Sequence, residues 1–181
     1  MNSIETIPSE FKGYSIKIHI HHDECCGAPW KEHDGHGIVS EWTSRDKRAG
    51  ELVLCADRSS RRFYDFAGTM DIAKRDGWGL ALEHVLKLEN KLGRKPTAGE
   101  IRAAAVMRDF DYLRAWCNGE WVWLGYTTEI ETPDGETIEG ESCWGFDAQE
   151  HMVSEAETQA RDTVESHIAL VAETEIAACV P

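Results

Sequence analysis

The sequence predicts an α+β fold in which an antiparallel sheet, built from two hairpin regions, packs with three central helices and a long acidic C-terminal helix. Apolar and polar residues alternate near the N-terminus, the spacing becomes helical from about residue 67 to residue 119, and a tight-turn sequence separates two later strand-like segments. Hairpin connections favour an antiparallel sheet, because parallel strands need longer crossovers. A chain of 181 residues can bury one sizeable core, so we expect a single domain over residues 1–181.

Three strands are predicted in the first third of the chain. In the first strand the polar face carries Ser15, Lys17, His19 and His21, and these alternate with the apolar residues Tyr14, Ile16, Ile18 and Ile20. Residues 23–37 contain several glycines and no usable period, which predicts a loop. The segments 51–57 and 61–66 predict a hairpin, which we expect to pair with the first strand.

Three helices are predicted next. The first ends at Gly77 and the second at Gly93, since glycine commonly follows the last turn of a helix. The third begins with a capping box formed by Thr97 and Glu100 and ends at Asn118–Gly119. One face of this helix carries the apolar residues Ile101, Ala104, Ala105, Phe110, Leu113 and Cys117.

The last third predicts a second hairpin followed by a long helix. Residues 121–131 and 137–147 flank a turn that contains Asp134–Gly135, a pair typical of tight hairpin turns. From about residue 148 to residue 178 the pattern predicts a helix with a narrow apolar stripe of Val153, Ala156, Ala160, Val164, Ile168 and Val171.

The net charge of −14 is located almost entirely in that last third. Residues 1–119 contain 18 acidic and 18 basic residues, whereas residues 120–181 contain 15 acidic residues and Arg161 as the only Lys or Arg. Such asymmetry points to an interaction surface, because net charge governs association more than fold. The predicted partner-binding residues are Glu129, Glu131, Glu139 and Glu141 on the hairpin, each pair sharing a strand face, and Glu150, Glu155, Glu157, Asp162 and Glu165 on the helix.

A cluster of metal-ligating residue types lies near the first strand. His19 and His21 are about 7 Å apart on one strand face, which suits chelation of one zinc ion. Ligands from the following loop would be Cys25, Cys26, His33, Asp34 and His36. No C-x-x-C or H-E-x-x-H spacing supports this site, so we expect no cofactor and keep a zinc-binding module or zinc-dependent enzyme as an alternative.

The residue types also suggest two other functions, acid/base catalysis and direct nucleic-acid binding. His33 and His36 could form an acid/base pair with Glu32 or Asp34, but no nucleophile, phosphate loop or cofactor fingerprint accompanies them, so the sequence does not favour an enzyme. The 45–62 strip could bind nucleic acid directly, because aromatic Phe63 and Tyr64 follow its basic residues, which are Arg45, Lys47, Arg48, Arg58, Arg61 and Arg62.

The chain shows no targeting signal in its first 15 residues and no run of about 20 apolar residues. We therefore expect a cytoplasmic protein without a membrane partner. In that compartment we expect reduced thiols at all six cysteines, which are Cys25, Cys26, Cys55, Cys117, Cys143 and Cys179.

Several specific strings carry a resemblance to a known group of proteins. They are APWKEHDGHGIVSEWTSRDKRAGELVLCADRSSRRFYDFAGTMDIAKRDGWG and, more loosely, RAWCNGEWVWLGY and ESCWGFD. The chain resembles uncharacterised small proteins encoded by tailed phages and prophages of proteobacteria. The resemblance implies a genomic context, and no catalytic residues carry over. Small phage accessory proteins frequently bind and inhibit host proteins, including restriction and CRISPR machinery.

Charge and resemblance together predict a phage-encoded accessory protein that acts in the host cytoplasm. We expect its acidic C-terminal third to bind a basic, nucleic-acid-binding surface of a host protein, in the manner of a DNA mimic. We expect the chain to inhibit or modulate that host protein, as anti-restriction and anti-CRISPR proteins do. The partner's identity and the oligomeric state stay open at this point.

Overall fold

The computed structural model describes residues 3–178, and the predicted thiol of Cys179 lies outside them. In chain order the elements are β1 (Glu5–Phe11), β2 (Tyr14–His22), α1 (Pro29–Glu32), β3 (Ile38–Val39), β4 (Glu51–Ala56), β5 (Arg61–Asp65), α2 (Phe66–Arg75), α3 (Leu82–Leu92), α4 (Ala98–Cys117), β6 (Leu124–Glu131), β7 (Thr137–Phe146) and α5 (Gln149–Ala178). Antiparallel sheets with these helices make an α+β fold, which confirms the predicted class.

The described chain divides into two compact units. We call residues 3–26 with 122–178 the acidic unit, and Gly27–Trp121 the neutral unit, for the charges given below. The single domain expected over residues 1–181 stays a prediction, and each unit is described by itself.

The acidic unit is a four-stranded sheet covered on one face by α5. Its strand order is β1-β2-β6-β7, and every neighbouring pair is antiparallel. The alternation read from the sequence places the apolar residues of β2 on the covered face. Residues four apart on α5 pack against them and are fully buried: Met152, Ala156, Ala160 and Val164. The two alanines allow the helix axis to lie close to the sheet.

The neutral unit is a three-stranded sheet, in the order β3-β5-β4, packed with helices. Its buried core contains Leu54, Tyr64, Ala73, Val106, Phe110 and Leu113, which come from β4, β5, α2 and α4. The predicted capping box is confirmed. The Thr97 hydroxyl accepts a hydrogen bond from the Glu100 N–H, and the Glu100 carboxylate accepts one from the Thr97 N–H.

The hairpin of β4 and β5 does not pair with the first predicted strand, so that part of the prediction is wrong. Both edges of β2 are occupied, one by β1 and the other by β6, and β5 pairs with β3 instead. Strand β1 was not predicted, because its sequence contains Pro8 and few apolar residues. Proline is tolerated there because β1 is an edge strand.

Two helices expose large apolar side chains. The C-terminal part of the α5 stripe is open to solvent, since Ile168 is 36% and Val171 is 42% exposed. A helix of 30 residues is about 45 Å long and passes the end of strands that span at most about 33 Å. Helix α3 forms where predicted but contains no buried residue, and Leu82 is 73% exposed.

We predict that three substitutions in the neutral unit have graded effects on its stability. Leu113→Ala should lower the free energy of unfolding by about 2–5 kcal/mol, because the side chain is fully buried. Thr97→Ala removes the capping hydroxyl and should cost about 1 kcal/mol. Leu82→Ala, at an exposed position, is the matched control and should change stability by less than about 0.5 kcal/mol. Urea unfolding measures all three, and equal effects would contradict the assigned helix faces.

Candidate functional site

Formal charge is divided very unevenly between the two units. The acidic unit contains 18 Asp and Glu but only 3 Lys and Arg, a formal charge of −15. The neutral unit contains 15 Asp and Glu and 16 Lys and Arg, a formal charge of +1. The N-terminal hairpin of β1 and β2 belongs to the acidic unit, so the boundary of the acidic region differs from residue 120.

All three cations of the acidic unit are already paired with its own carboxylates. The pairs are Lys12–Glu165 at 2.8 Å, Lys17–Glu129 at 2.6 Å and Arg161–Glu157 at 3.3 Å. The short hydrogen bond between Lys17 and Glu129 lowers the pKa of the carboxyl and raises that of the ammonium group. Since no other Lys or Arg occurs in residues 3–26 or 122–178, the unit has no cation left for its other carboxylates.

One group of these carboxylates lies on the side of α5 next to β7. Glu141 from β7 and Asp162 from α5 line the same shallow hollow. Glu155 lies seven residues before Asp162 and therefore on nearly the same helix face. We call Glu141, Glu155 and Asp162 the β7-side flank. None of the three forms an ion pair within the described residues.

The β7-side flank is connected to the buried core by a hydrogen-bond chain. The Tyr126 hydroxyl donates to the Gln159 side-chain oxygen at 2.7 Å, and the Gln159 amide donates to Glu155 at 2.9 Å. Burial is the largest cause that raises the pKa of Tyr126 to about 12, and electrostatic interactions with Cys143, Glu155 and Glu141 add to it. The Glu155 carboxylate is thus held in a fixed position within the flank.

The other predicted partner-binding residues lie elsewhere on the acidic unit. Glu129, Glu131 and Glu139 are on the sheet face away from α5, because their strand neighbours Ile130 and Ile138 pack toward that helix. Glu150 and Glu157 border a separate hollow beside the start of α5. The nine carboxylates therefore do not form one continuous surface, since the sheet separates Glu129, Glu131 and Glu139 from the carboxylates on and beside α5.

Glu139 and Glu141 do not share a strand face, which corrects the sequence prediction. Glu129 is opposite Glu139, whereas Thr127, two residues earlier, is opposite Ser142. β7 thus contains one extra residue between these positions, a β-bulge, and the bulge moves Glu141 to the α5 side. A simple period of two could not reveal it.

His19 and His21 both lie on the sheet face away from α5, as the alternation predicts. The Nδ1 atom of His19 is 2.9 Å from the Thr6 hydroxyl, and its Nε2 atom is 3.7 Å from Glu129. His21 lies on the predicted polar face but is not exposed to solvent. Only 6% of it is exposed, and its ring lies 5.7 Å from that of Trp144. The alternation within a strand predicts on which sheet face a side chain lies. It cannot predict burial by Trp144, because that residue belongs to a strand much later in the chain.

The predicted zinc ligands do not converge. Among residues 3–178, no group of three or more His, Cys, Asp or Glu is placed to hold a metal ion. Cys25 is exposed, and the backbone N–H groups of Cys25 and Cys26 donate to the Asp23 carboxylate. His33, Asp34 and His36 belong to the neutral unit, whereas the other four candidate ligands belong to the acidic unit.

The second loop histidine is held by a residue that the sequence analysis missed. The Nδ1 atom of His36 is 2.6 Å from one oxygen of Asp109 on α4, and the imidazole stacks on Tyr112. The other Asp109 oxygen accepts hydrogen bonds from the Gly37 N–H and the Tyr64 hydroxyl, both at 2.8 Å. Burial and the adjacent Asp109 charge raise the pKa of Tyr64. The cluster anchors the loop to the core.

This arrangement differs from the possible acid/base pair that the residue types suggested. Asp109, not Glu32 or Asp34, orients the imidazole of His36. Glu32 instead accepts a hydrogen bond from the Gly27 N–H. Asp109 is a carboxylate between apolar positions of α4, which is the feature that could have drawn attention to it. The spacing of residues alone does not predict its contact with a loop about 70 residues earlier.

Three of the six cations of the basic 45–62 strip lie within 4.0 Å of a carboxylate of the same unit, and they are Arg45, Arg61 and Arg62. Arg45 forms two hydrogen bonds with Glu51, and these lower the pKa of the Glu51 carboxyl to about 2. The Arg62 guanidinium lies about 5 Å from the rings of both Trp30 and Trp42, which is cation–π geometry. A cationic track for nucleic acid needs free guanidinium groups, so Arg45 and Arg62 are less suited to such a track.

The cysteines and the long helices were also predicted from the sequence to have particular properties. The five cysteines in the described part of the chain are free thiols, and burial raises the pKa of Cys117 to about 12. Within residues 3–178, no helix combines the length and the apolar character needed to cross a membrane.

We predict that Asp109 stabilises the neutral unit through the loop it holds. Asp109→Ala leaves the Tyr64 hydroxyl, the Gly37 N–H and His36 without their acceptor and should lower the unfolding free energy by about 1–3 kcal/mol. Asp71→Ala on the exposed side of α2 is the matched control, with a change below about 0.5 kcal/mol. Urea unfolding gives the stability, and amide hydrogen exchange at residues 33–37 should accelerate only in the Asp109 variant. Similar behaviour of both variants would show that the loop is held by other contacts.

Comparison with known proteins found no protein-family model, no curated protein and no solved structure that matches this chain. Function is therefore inferred from the residues and the geometry described above.

Proposed function

We propose that the acidic unit binds a basic, nucleic-acid-binding surface of another protein and competes with nucleic acid for that surface. The observation that carries the proposal is the formal charge of −15 on one unit whose three cations are already paired internally. Like charges at this density repel one another and disfavour the compact state. A complementary basic partner relieves that repulsion and releases counterions.

The β7-side flank is the part of the acidic unit best suited to this contact. Glu157 and Glu165 already neutralise Arg161 and Lys12, so they offer less free charge to a partner. The flank pairs with no cation among the described residues, and its position beside β7 and α5 gives it a rigid backbone. A rigid charged surface loses little conformational entropy when it binds.

The charge of the helix resembles that of nucleic acid in sign more than in density. From Glu150 to Glu165 five carboxylates are distributed over about 22 Å of α5, or roughly one every 4–5 Å. A DNA duplex carries one phosphate charge per about 1.7 Å of its axis. We therefore expect binding with a pronounced salt dependence, at a site where the partner's Lys and Arg residues are clustered.

The resemblance to phage-encoded proteins supports a bacterial host protein as the partner. In this proposal the partner handles nucleic acid, either in host defence by restriction or CRISPR systems or in another host process, and the chain inhibits or modulates it in the host cytoplasm. An enzymatic role is not part of the proposal, because the His36–Asp109 cluster lacks an adjacent nucleophile or cofactor fingerprint.

We predict that charge reversal on the β7-side flank abolishes partner binding. Proteins captured from a proteobacterial lysate would be purified and titrated with the chain in the presence of labelled duplex DNA. The wild type should displace the DNA, and affinity should fall steeply between about 50 and 200 mM salt. The double variant Glu155→Lys, Asp162→Lys should lose displacement while keeping its circular-dichroism spectrum.

The matched control is Glu10→Lys, Glu136→Lys, which changes the charge of the same unit by the same amount at exposed positions away from the flank. This control should keep most of the binding. If both double variants bind like the wild type, or if the nucleic acid stays bound in the complex, the acidic surface does not compete with nucleic acid and the proposal fails.

A further inference from the structure

A cavity of about 750 Å³ lies at one end of the sheet of the acidic unit. Its lining includes Ile4, His21, Asp23, Glu24 and Trp144. The volume lies within the range of about 300–1,000 Å³ that is typical of small-molecule sites. None of the carboxylates of the β7-side flank lines it, so its chemistry is independent of the proposed function.

The aromatic wall of the cavity has a defined position. Trp144 on β7 is directly opposite Gly125 on β6, and a side chain at position 125 would overlap the indole ring. The glycine therefore allows the ring to lie across the neighbouring strand. Trp144 remains 37% exposed and is one of the residues that line the cavity. A flat ring can stack on such a surface.

The polar group in the cavity is a buried histidine with an unsatisfied nitrogen. His21 is only 6% exposed, and its Nε2 atom is 3.1 Å from the Thr127 hydroxyl. Its Nδ1 atom is buried and has no hydrogen-bond partner among the described residues. Buried polar atoms are nearly always hydrogen-bonded in folded proteins, so an unsatisfied nitrogen on a residue that lines a cavity indicates a missing partner. The imidazole can donate or accept there, depending on its tautomer.

The edge of the cavity is negatively charged. Asp23 and Glu24 both line it, and the Asp23 carboxylate is held in place by the N–H groups of Cys25 and Cys26. The formal charge of −15 on this unit adds a long-range negative potential. Anionic ligands such as nucleotides are therefore repelled, and cationic ligands are attracted.

We propose that this cavity binds a small aromatic cation, in which a planar ring stacks on Trp144, a polar ring atom or substituent bonds to His21 Nδ1, and a protonated amine lies near Asp23 and Glu24. A metal ion fits less well, because no three ligating side chains converge among residues 3–178. Three groups of the cavity together define the ligand class. The indole favours a planar ring, the unsatisfied nitrogen favours a hydrogen-bonding group, and the carboxylates favour a positive charge.

The binding test uses two probes with the same ring and opposite charge, tryptamine and indole-3-acetate. Isothermal titration calorimetry on the complete chain should show tryptamine binding with a dissociation constant on the order of 1 mM or lower, as expected for a ligand of this size. Indole-3-acetate should bind at least about 10-fold more weakly. In a two-dimensional ¹H–¹⁵N spectrum, tryptamine should shift the indole N–H signal of Trp144 more than those of the other tryptophans.

Matched variants separate the three parts of the site. Trp144→Ala should weaken tryptamine binding at least about 10-fold, whereas Trp42→Ala, at a similarly exposed tryptophan of the neutral unit, should not change it. Glu24→Lys should weaken binding more than Glu10→Lys, although both alter the unit's charge equally. His21→Phe keeps a planar ring but removes both nitrogens, including the one that contacts Thr127, and should weaken binding several-fold. Circular dichroism confirms that each variant is folded.

Each of the following results would overturn the proposal. The first is the absence of saturable tryptamine binding at about 10 mM. The second is equal binding of tryptamine and indole-3-acetate, or binding that Trp144→Ala leaves unchanged. The third is binding of a Lys-Trp-Lys peptide without binding of tryptamine, which would make the cavity an anchor for side chains of a protein partner.

Discussion

The packing of α5 against the four-stranded sheet is the contact on which the acidic unit depends. A unit with a formal charge of −15 repels itself, and fully buried apolar residues at every fourth position of α5 oppose that repulsion. Ala156 and Ala160 let the helix lie close to the sheet, so a narrow stripe is sufficient. The remaining circumference of α5 is then free for carboxylates. The same contact that stabilises the fold therefore fixes the position of the acidic surface.

The two faces of this sheet have different chemistry because only one is covered by α5. On the covered side, the bulge in β7 brings Glu141 beside Asp162 and makes the β7-side flank. On the other side, a glycine in β6 lets Trp144 cover His21, which leaves a buried nitrogen without a partner next to a cavity. One face thus suits a basic macromolecule, and the end of the other suits a small aromatic cation.

Local patterns in the sequence predicted local structure well. The alternation of β2 and the capping box of α4 were correct because neighbouring residues determine them. The two-sheet arrangement was missed because strand pairing depends on which edges are free, and the proline-containing β1 had little strand character. The Asp109 contact with His36 and the bulge at Glu141 depend on residues far apart in the chain or on register, and no periodicity carries that information. The uneven distribution of charge was visible in the sequence, but the three ion pairs within the acidic unit were not.

If the carboxylates of the β7-side flank are unpaired and repel one another, removing two of their charges should stabilise the protein. The double variant Glu155→Gln, Asp162→Asn removes them, and its unfolding free energy should be measured by urea at about 10 mM and about 1 M ionic strength, where the Debye lengths are about 30 Å and 3 Å. We expect the variant to be more stable than the wild type by about 0.5 kcal/mol at low ionic strength, and the difference should nearly disappear at high ionic strength. A variant that is less stable than the wild type at low salt, or a difference that salt does not change, would contradict this expectation.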